Sequence, residues 1–101
     1  MKKKIFFEIK AKREYDRLPD YVRSEFDTLI EDLGRSGQLG EPESKKLKSY
    51  ALFELRVKVQ SGIWRAFYCY VVEGILILGF FKKKSRKTPK REIEKVLRRI
   101  E

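Results

Sequence analysis

Five side chains in the second half of the chain could act together on an anion: Glu54, Arg56, Lys58, Arg65 and Lys82. Arg presents a planar fork that can hold two phosphate oxygens, and Lys supplies a compact point charge, so such a group suits a phosphodiester. Whether the five meet depends on strand register. Phe53, Leu55, Val57 and Val59 alternate with Glu54, Arg56 and Lys58, the period-two pattern of a strand with one buried and one charged face. Two-residue turns at Ser61-Gly62 and Glu73-Gly74 then predict the pairing. Gln60 faces Ile63, Lys58 faces Arg65 and Arg56 faces Phe67. On the other side Val72 faces Ile75, Phe67 faces Phe80 and Arg65 faces Lys82.

In that register Lys58, Arg65 and Lys82 form a row, with Glu54 and Arg56 on the same sheet face. Phe67 and Phe80 make an aromatic floor beside them, and Lys84 joins if the strand runs on. Trp64, Tyr68 and Tyr70 point the other way, into the core. Like charges directly across a sheet are destabilising, so the row predicts an anionic occupant. The competing reading is the solvated face of an antiparallel sheet.

Charge distribution supports a polyanion. The chain carries 25 Lys and Arg against 15 Asp and Glu, net +10. Residues 1–44 are net −1, residues 45–81 net +4 and residues 82–101 net +7. Seven of the ten residues from Lys82 to Arg91 are basic and none is acidic, which makes nucleic acid the first candidate partner. Other chemistries drop out. Without His there is no Ser-His-Asp or Cys-His arrangement and no plausible zinc site, and no Gly-rich phosphate loop occurs. Glu41 and Glu43 sit on a Gly/Pro-rich loop, a weak basis for a glycosidase pair. No metal or other cofactor is expected. The lone Cys69 cannot form an internal disulfide. Residues 75–81 are too short to span a membrane and residues 5–7 too short for a signal peptide core, so a cytoplasmic protein is expected.

The elements that must position these residues fit one domain over residues 1–101. Residues 3–9 read as a strand and residues 10–18 as a short helix ending at Pro19. Val22, Phe26, Leu29, Ile30 and Leu33 lie on one helical stripe, with Gly34 placed to stop it. A helical hairpin over residues 10–34 follows. Gly37, Gly40 and Pro42 mark a loop; the strand of residues 53–59 comes next, then strands over residues 64–72 and 75–81. Thr88 and Pro89 suit the start of a last helix over residues 89–100, with Ile93, Val96, Leu97 and Ile100 on one face. The predicted fold class is α+β: strand, helical hairpin, antiparallel meander, closing helix.

Leu52-Phe53-Glu54-Leu55-Arg56, Trp64-Arg65-Ala66-Phe67-Tyr68, Gly79-Phe80-Phe81-Lys82-Lys83-Lys84 and Lys87-Thr88-Pro89 together resemble the RelE/HigB toxin superfamily, most closely its phage-derived HigB-type branch. There an E-L-R strand, a Y-R-x-x-Y strand, a G-F-x-K-K strand end and a T-P before the last helix occur in this order. The match covers about residues 45–100; the helical hairpin agrees in layout.

The resemblance implies a RelE-like fold and the toxin of a type II toxin-antitoxin pair. Its activity would be a metal-independent, ribosome-dependent mRNA endoribonuclease that uses the substrate's 2′-hydroxyl to attack the adjacent phosphodiester. By this match Arg65 stabilises the phosphate, while Arg56, Lys82 and Lys83 act as electrostatic or substrate-binding groups. Glu54 is a candidate base and a Lys crowded by Arg65 a candidate acid. Lys58, Lys83, Lys84, Arg86 and Lys87 are expected to bind substrate. The implied partners are the ribosome, mRNA and a cognate antitoxin, in this branch often a helix-turn-helix repressor, with no membrane. Many relatives carry a Tyr or His near the C-terminus as acid or base; this chain has no His and no Tyr after Tyr70. The alternatives are a ParE-type gyrase inhibitor and an RNA-binding module without catalysis.

Overall fold

A computed structural model describes residues 2–84 and 88–100. The order of elements is β1 (Lys4–Phe7), α1 (Ile9–Asp16), α2 (Asp20–Ser36), β2 (Ser44–Lys46), β3 (Phe53–Val59), β4 (Gly62–Val71), β5 (Gly74–Lys83) and α3 (Lys90–Ile100). The strands form one five-stranded sheet in the order β1-β5-β4-β3-β2. Only β1 is parallel to its neighbour; β2, β3, β4 and β5 form an antiparallel series. The α+β reading and the order of the main elements agree with the sequence. The three-residue β2 is an addition, too short to carry a periodic signal.

Each sheet face has its own cover. The stripe of α2 packs Val22, Phe26, Ile30 and Leu33 onto Leu55, Val57, Ala66, Tyr68, Ile77 and Phe80. On the opposite face Ile93 and Val96 of α3 meet Leu52, Phe67, Cys69 and Leu78, with Leu97 partly buried against them. Ile100, expected on the same helix face, is 47% exposed.

Helix α2 does not end at Gly34, which lies inside it beside Ile5. It ends at Gly37, whose φ of 86° is left-handed and whose N–H donates to Leu33 O at 2.8 Å. A side chain there is strained, so Gly37→Ala is expected to cost about 1 kcal/mol. Urea denaturation checks this, and an unchanged midpoint would count against the cap.

The turns sit one residue earlier than the sequence reading placed them. Val59 lies opposite Gly62, which moves β3 by two residues relative to β4: Arg56 faces Arg65, Lys58 faces Ile63 and Glu54 faces Phe67. A two-residue shift preserves which side chains share a face. Between β4 and β5 the change is larger. Val71 faces Gly74, and the register then slips between Phe67 and Tyr68, so that Phe67 faces Gly79 while Tyr68 faces Ile77. This bulge leaves Leu78 without a cross-strand partner and reverses the facing of everything beyond it. Arg65 therefore faces Phe81, not Lys82, and Trp64 faces Lys82.

Candidate functional site

Three cross-strand rows follow on the sheet face that α3 partly covers. The first contains Lys45, Glu54, Phe67 and Gly79; the second Arg56, Arg65 and Phe81; the third Lys58, Ile63 and Lys83. Strands β2 to β5 thus bring together Lys45, Arg56, Lys58, Arg65 and Lys83, with Glu54 as the carboxylate among them. Phe67 and Phe81 stack beneath at 5.1 Å and 21°, in place of the predicted Phe67 and Phe80 floor. Phe80 lies on the other face, edge-on to Phe26.

At the centre is an ion pair between Arg65 and Glu54, both 2% exposed. Arg65 Nη1 donates to Glu54 Oε1, and Thr88 Oγ1 donates to Glu54 Oε2 at 2.6 Å. Arg65 Nε and Nη2 are buried with no hydrogen-bond partner among the described residues. Burial pushes the guanidinium pKa down, Glu54 opposes it, and Arg56 across the strand adds to the downward push. Removing one member of such a pair strands the other charge away from water.

Lys83 is half-buried at the end of β5. Its ammonium pKa is lowered first by burial and then by Arg65, with Glu54 pulling the other way and Arg56 and Lys45 adding to the fall. Arg56 is exposed on the same face, and its backbone N–H donates to Glu43 O at 2.9 Å.

The predicted site residues divide accordingly. Glu54, Arg56, Lys58, Arg65 and Lys83 share the face. Lys82 does not: the bulge turns it to the other side, where its ammonium lies 5.8 Å from the Trp64 ring centroid. Lys84 is exposed just past β5. Arg86 and Lys87 lie outside the described residues. The sequence reading missed Lys45, which sits on the unrecognised β2, and gave Thr88 only a helix-start role. Helix α3 begins at Lys90, with Pro89 O accepting from Glu92 and Ile93 N–H. Among the described residues no group of acidic or Cys side chains could hold a metal ion, and no helix is long and apolar enough to cross a membrane.

Residues 13–101 match the model of the family described as phage derived protein Gp49-like. The fold is similar to a solved E. coli RelE toxin mutant in the free state, at 18% identity, with 99% of each chain covered and a TM-score of 0.71. The intact E. coli RelBE toxin-antitoxin complex matches at 19% identity, covering 80% of this chain and 96% of that one, with a TM-score of 0.61. The RelBE2 toxin-antitoxin complex of Mycobacterium tuberculosis matches at 19% identity, covering 84% and 95%, with a TM-score of 0.60. No curated protein sequence matches the chain.

Proposed function

Because the chain belongs to the phage-derived Gp49-like family, within the RelE/HigB toxin superfamily, we propose that it is the toxin of a type II toxin-antitoxin pair and cuts mRNA on the ribosome. The observation that carries this reading is the face holding Lys45, Arg56, Lys58, Arg65 and Lys83, where the buried carboxylate of Glu54 is already engaged by Arg65 and Thr88. Five cations against the one buried carboxylate in the three cross-strand rows leave a net positive charge there that suits an RNA backbone.

In the proposed reaction the 2′-hydroxyl of the substrate attacks the neighbouring phosphorus and gives its proton to water. The bond to the 5′-oxygen breaks, leaving a 2′,3′-cyclic phosphate and a 5′-hydroxyl. Negative charge grows on the phosphorane oxygens, where Arg65 and Arg56 stabilise it. Lys83 protonates the departing 5′-oxygen. Its burial, and then its crowding by Arg65 and Arg56, make it a readier donor than an ordinary lysine. An antitoxin would neutralise the toxin by covering this basic face.

Cleavage of mRNA in a programmed ribosome, with end-group analysis and a ribosome-free control, tests the reading; ribosome-dependent cuts ending in cyclic phosphate are expected. Lys83→Met is expected to slow cleavage by about 100-fold. Because the protonated ammonium is the active form, the wild-type rate should fall as pH rises through the lowered Lys83 pKa, and Lys83→Arg should lack that fall. Lys82→Met should stay near wild type, since that side chain lies on the opposite face. Equal losses in the Lys82 and Lys83 variants would reject the assignment.

A second reading, ribosome binding without catalysis, draws on the near-complete burial of Arg65. It would give steeply salt-dependent binding and intact mRNA. Inhibition of gyrase with no RNA cut would favour the ParE-type alternative.

A further inference from the structure

Both oxygens of Glu54 are occupied, one by Arg65 Nη1 and one by Thr88 Oγ1, and the side chain is closed off from solvent at 2% exposure. A base must have an oxygen within reach of the proton it takes. In this arrangement each oxygen of Glu54 already accepts a hydrogen bond from a neighbouring side chain, which points to a contribution through what it holds.

What it holds is one end of Arg65. In a guanidinium, the Nε–H and one Nη2–H lie along the same edge and point in parallel, a pair that fits two oxygens of a phosphate. These are the two nitrogens of Arg65 left without a partner among the described residues. The third, Nη1, is the one bound to Glu54. Arg56 lies directly across the strand, and without an opposing anchor its repulsion would turn the Arg65 head. Thr88 supplies the second support. It enters from the segment leading into α3, whose Ile93 and Val96 are fixed in the core, and so ties β3, β4 and the start of α3 to one carboxylate.

We propose that Glu54 and Thr88 are positioning residues that hold the Nη1 end of Arg65, so that its Nε–Nη2 edge can grip two oxygens of the phosphodiester being cut. This rests on the nuclease reading above. Buried donors without acceptors are costly, so an anion that reaches this edge by displacing the side chains over it gains more than it would at a solvated arginine.

Thr88→Val, Thr88→Ser and Glu54→Gln test the clamp in single-turnover cleavage on programmed ribosomes. Substrates carry either the normal phosphate or a phosphorothioate at the cut. Thr88→Val is expected to lower the cleavage rate by about 10-fold, the scale of one hydrogen bond to a charged group, with ribosome affinity unchanged. Thr88→Ser should restore the rate. Sulfur should slow the wild type more than Thr88→Val, whose grip is already loosened. Glu54→Gln should lose rate and keep every limb of the wild-type pH profile, with the high-pH limb moved to lower pH because Lys83 loses an opposing carboxylate.

A wild-type rate and normal sulfur penalty in Thr88→Val would overturn the proposal. So would a Glu54→Gln enzyme whose pH profile loses a limb, since that would make Glu54 the base. If the wild type cuts nothing, the nuclease reading fails, and the clamp is then decided by NMR of the Arg65 Nε–H in free protein titrated with a trinucleotide carrying a 2′-deoxy sugar. A shift in wild type that is lost in Thr88→Val supports the clamp; no shift in wild type rejects it.

Discussion

Arg65→Ala is expected to slow cleavage by at least about 100-fold and to cost much of the protein's stability, and the two losses should separate in a double variant. The rate loss follows from removing a phosphate-stabilising cation, which at comparable sites costs about 100- to 1,000-fold. The stability loss has a different origin. Both members of the Glu54 and Arg65 pair are 2% exposed, so the truncation leaves a buried carboxylate with Thr88 as its remaining partner, at a cost of about 3 to 5 kcal/mol. Replacing both residues with Met removes both charges and keeps apolar bulk, which at other buried pairs is neutral or stabilising. Chemical denaturation should therefore find the Glu54→Met/Arg65→Met protein near wild-type stability and inactive on programmed ribosomes. If the double variant is as unstable as Arg65→Ala, packing around the side chains matters more than the stranded charge. If it still cuts mRNA, Arg65 is not at the chemistry.

The residues explain why part of this site could be read from sequence and part could not. Period-two alternation from Phe53 to Val59 puts Glu54, Arg56 and Lys58 on one face whichever two-residue turn follows, so the turn's one-residue error left the facing intact. The next connection gave no such protection. Ile75, Leu76, Ile77 and Leu78 are apolar without a break, because α2 and α3 cover the two faces of β5 in turn. A continuous apolar run carries no phase, so the bulge that leaves Leu78 unpaired could not be seen, and with it went the choice between Lys82 and Lys83. The burial of Glu54 was hidden for another reason. Its alternation with buried residues reads as an open charged face, yet the segment carrying Thr88 closes over it, a contact 34 residues away in sequence.

The second large effect is expected at the opposite end of α3. Glu14 accepts from Arg99 Nη1 at 2.9 Å and Nη2 at 2.8 Å, and from the Phe80 N–H at 3.0 Å. Arg99 Nη1 also donates to the carbonyl of the bulge residue Leu78 at 2.7 Å. Gly79 makes room for this: a Cβ there would lie 2.8 Å from Arg99 Nη1 and 3.0 Å from Val96 Cγ1. Burial alone would raise the Glu14 carboxyl pKa, but the Arg99 hydrogen bonds and the Phe80 N–H overcome it and hold the pKa below its ordinary value. A depressed folded-state pKa means that the ionised carboxylate stabilises the fold above the unfolded pKa, and that this stability is lost as pH falls through the folded one. Glu14→Gln should thus cost about 2 to 3 kcal/mol at neutral pH, because Arg99, only 8% exposed, loses its close bidentate partner and keeps the longer ion pair with Glu8 at 3.9 Å. The gap from wild type should shrink in acid, as wild-type Glu14 takes up its own proton. Urea denaturation across that range reads this directly, and a gap that stays constant into strong acid would mean the carboxylate charge is not what holds Arg99. Because α3 is an unbroken helix from Lys90 to Ile100, with the Thr88 contact just before it and Arg99 near its end, loosening Arg99 should also slow cleavage. That loss should be smaller than in Thr88→Val, since the effect must pass along the whole helix to reach Glu54.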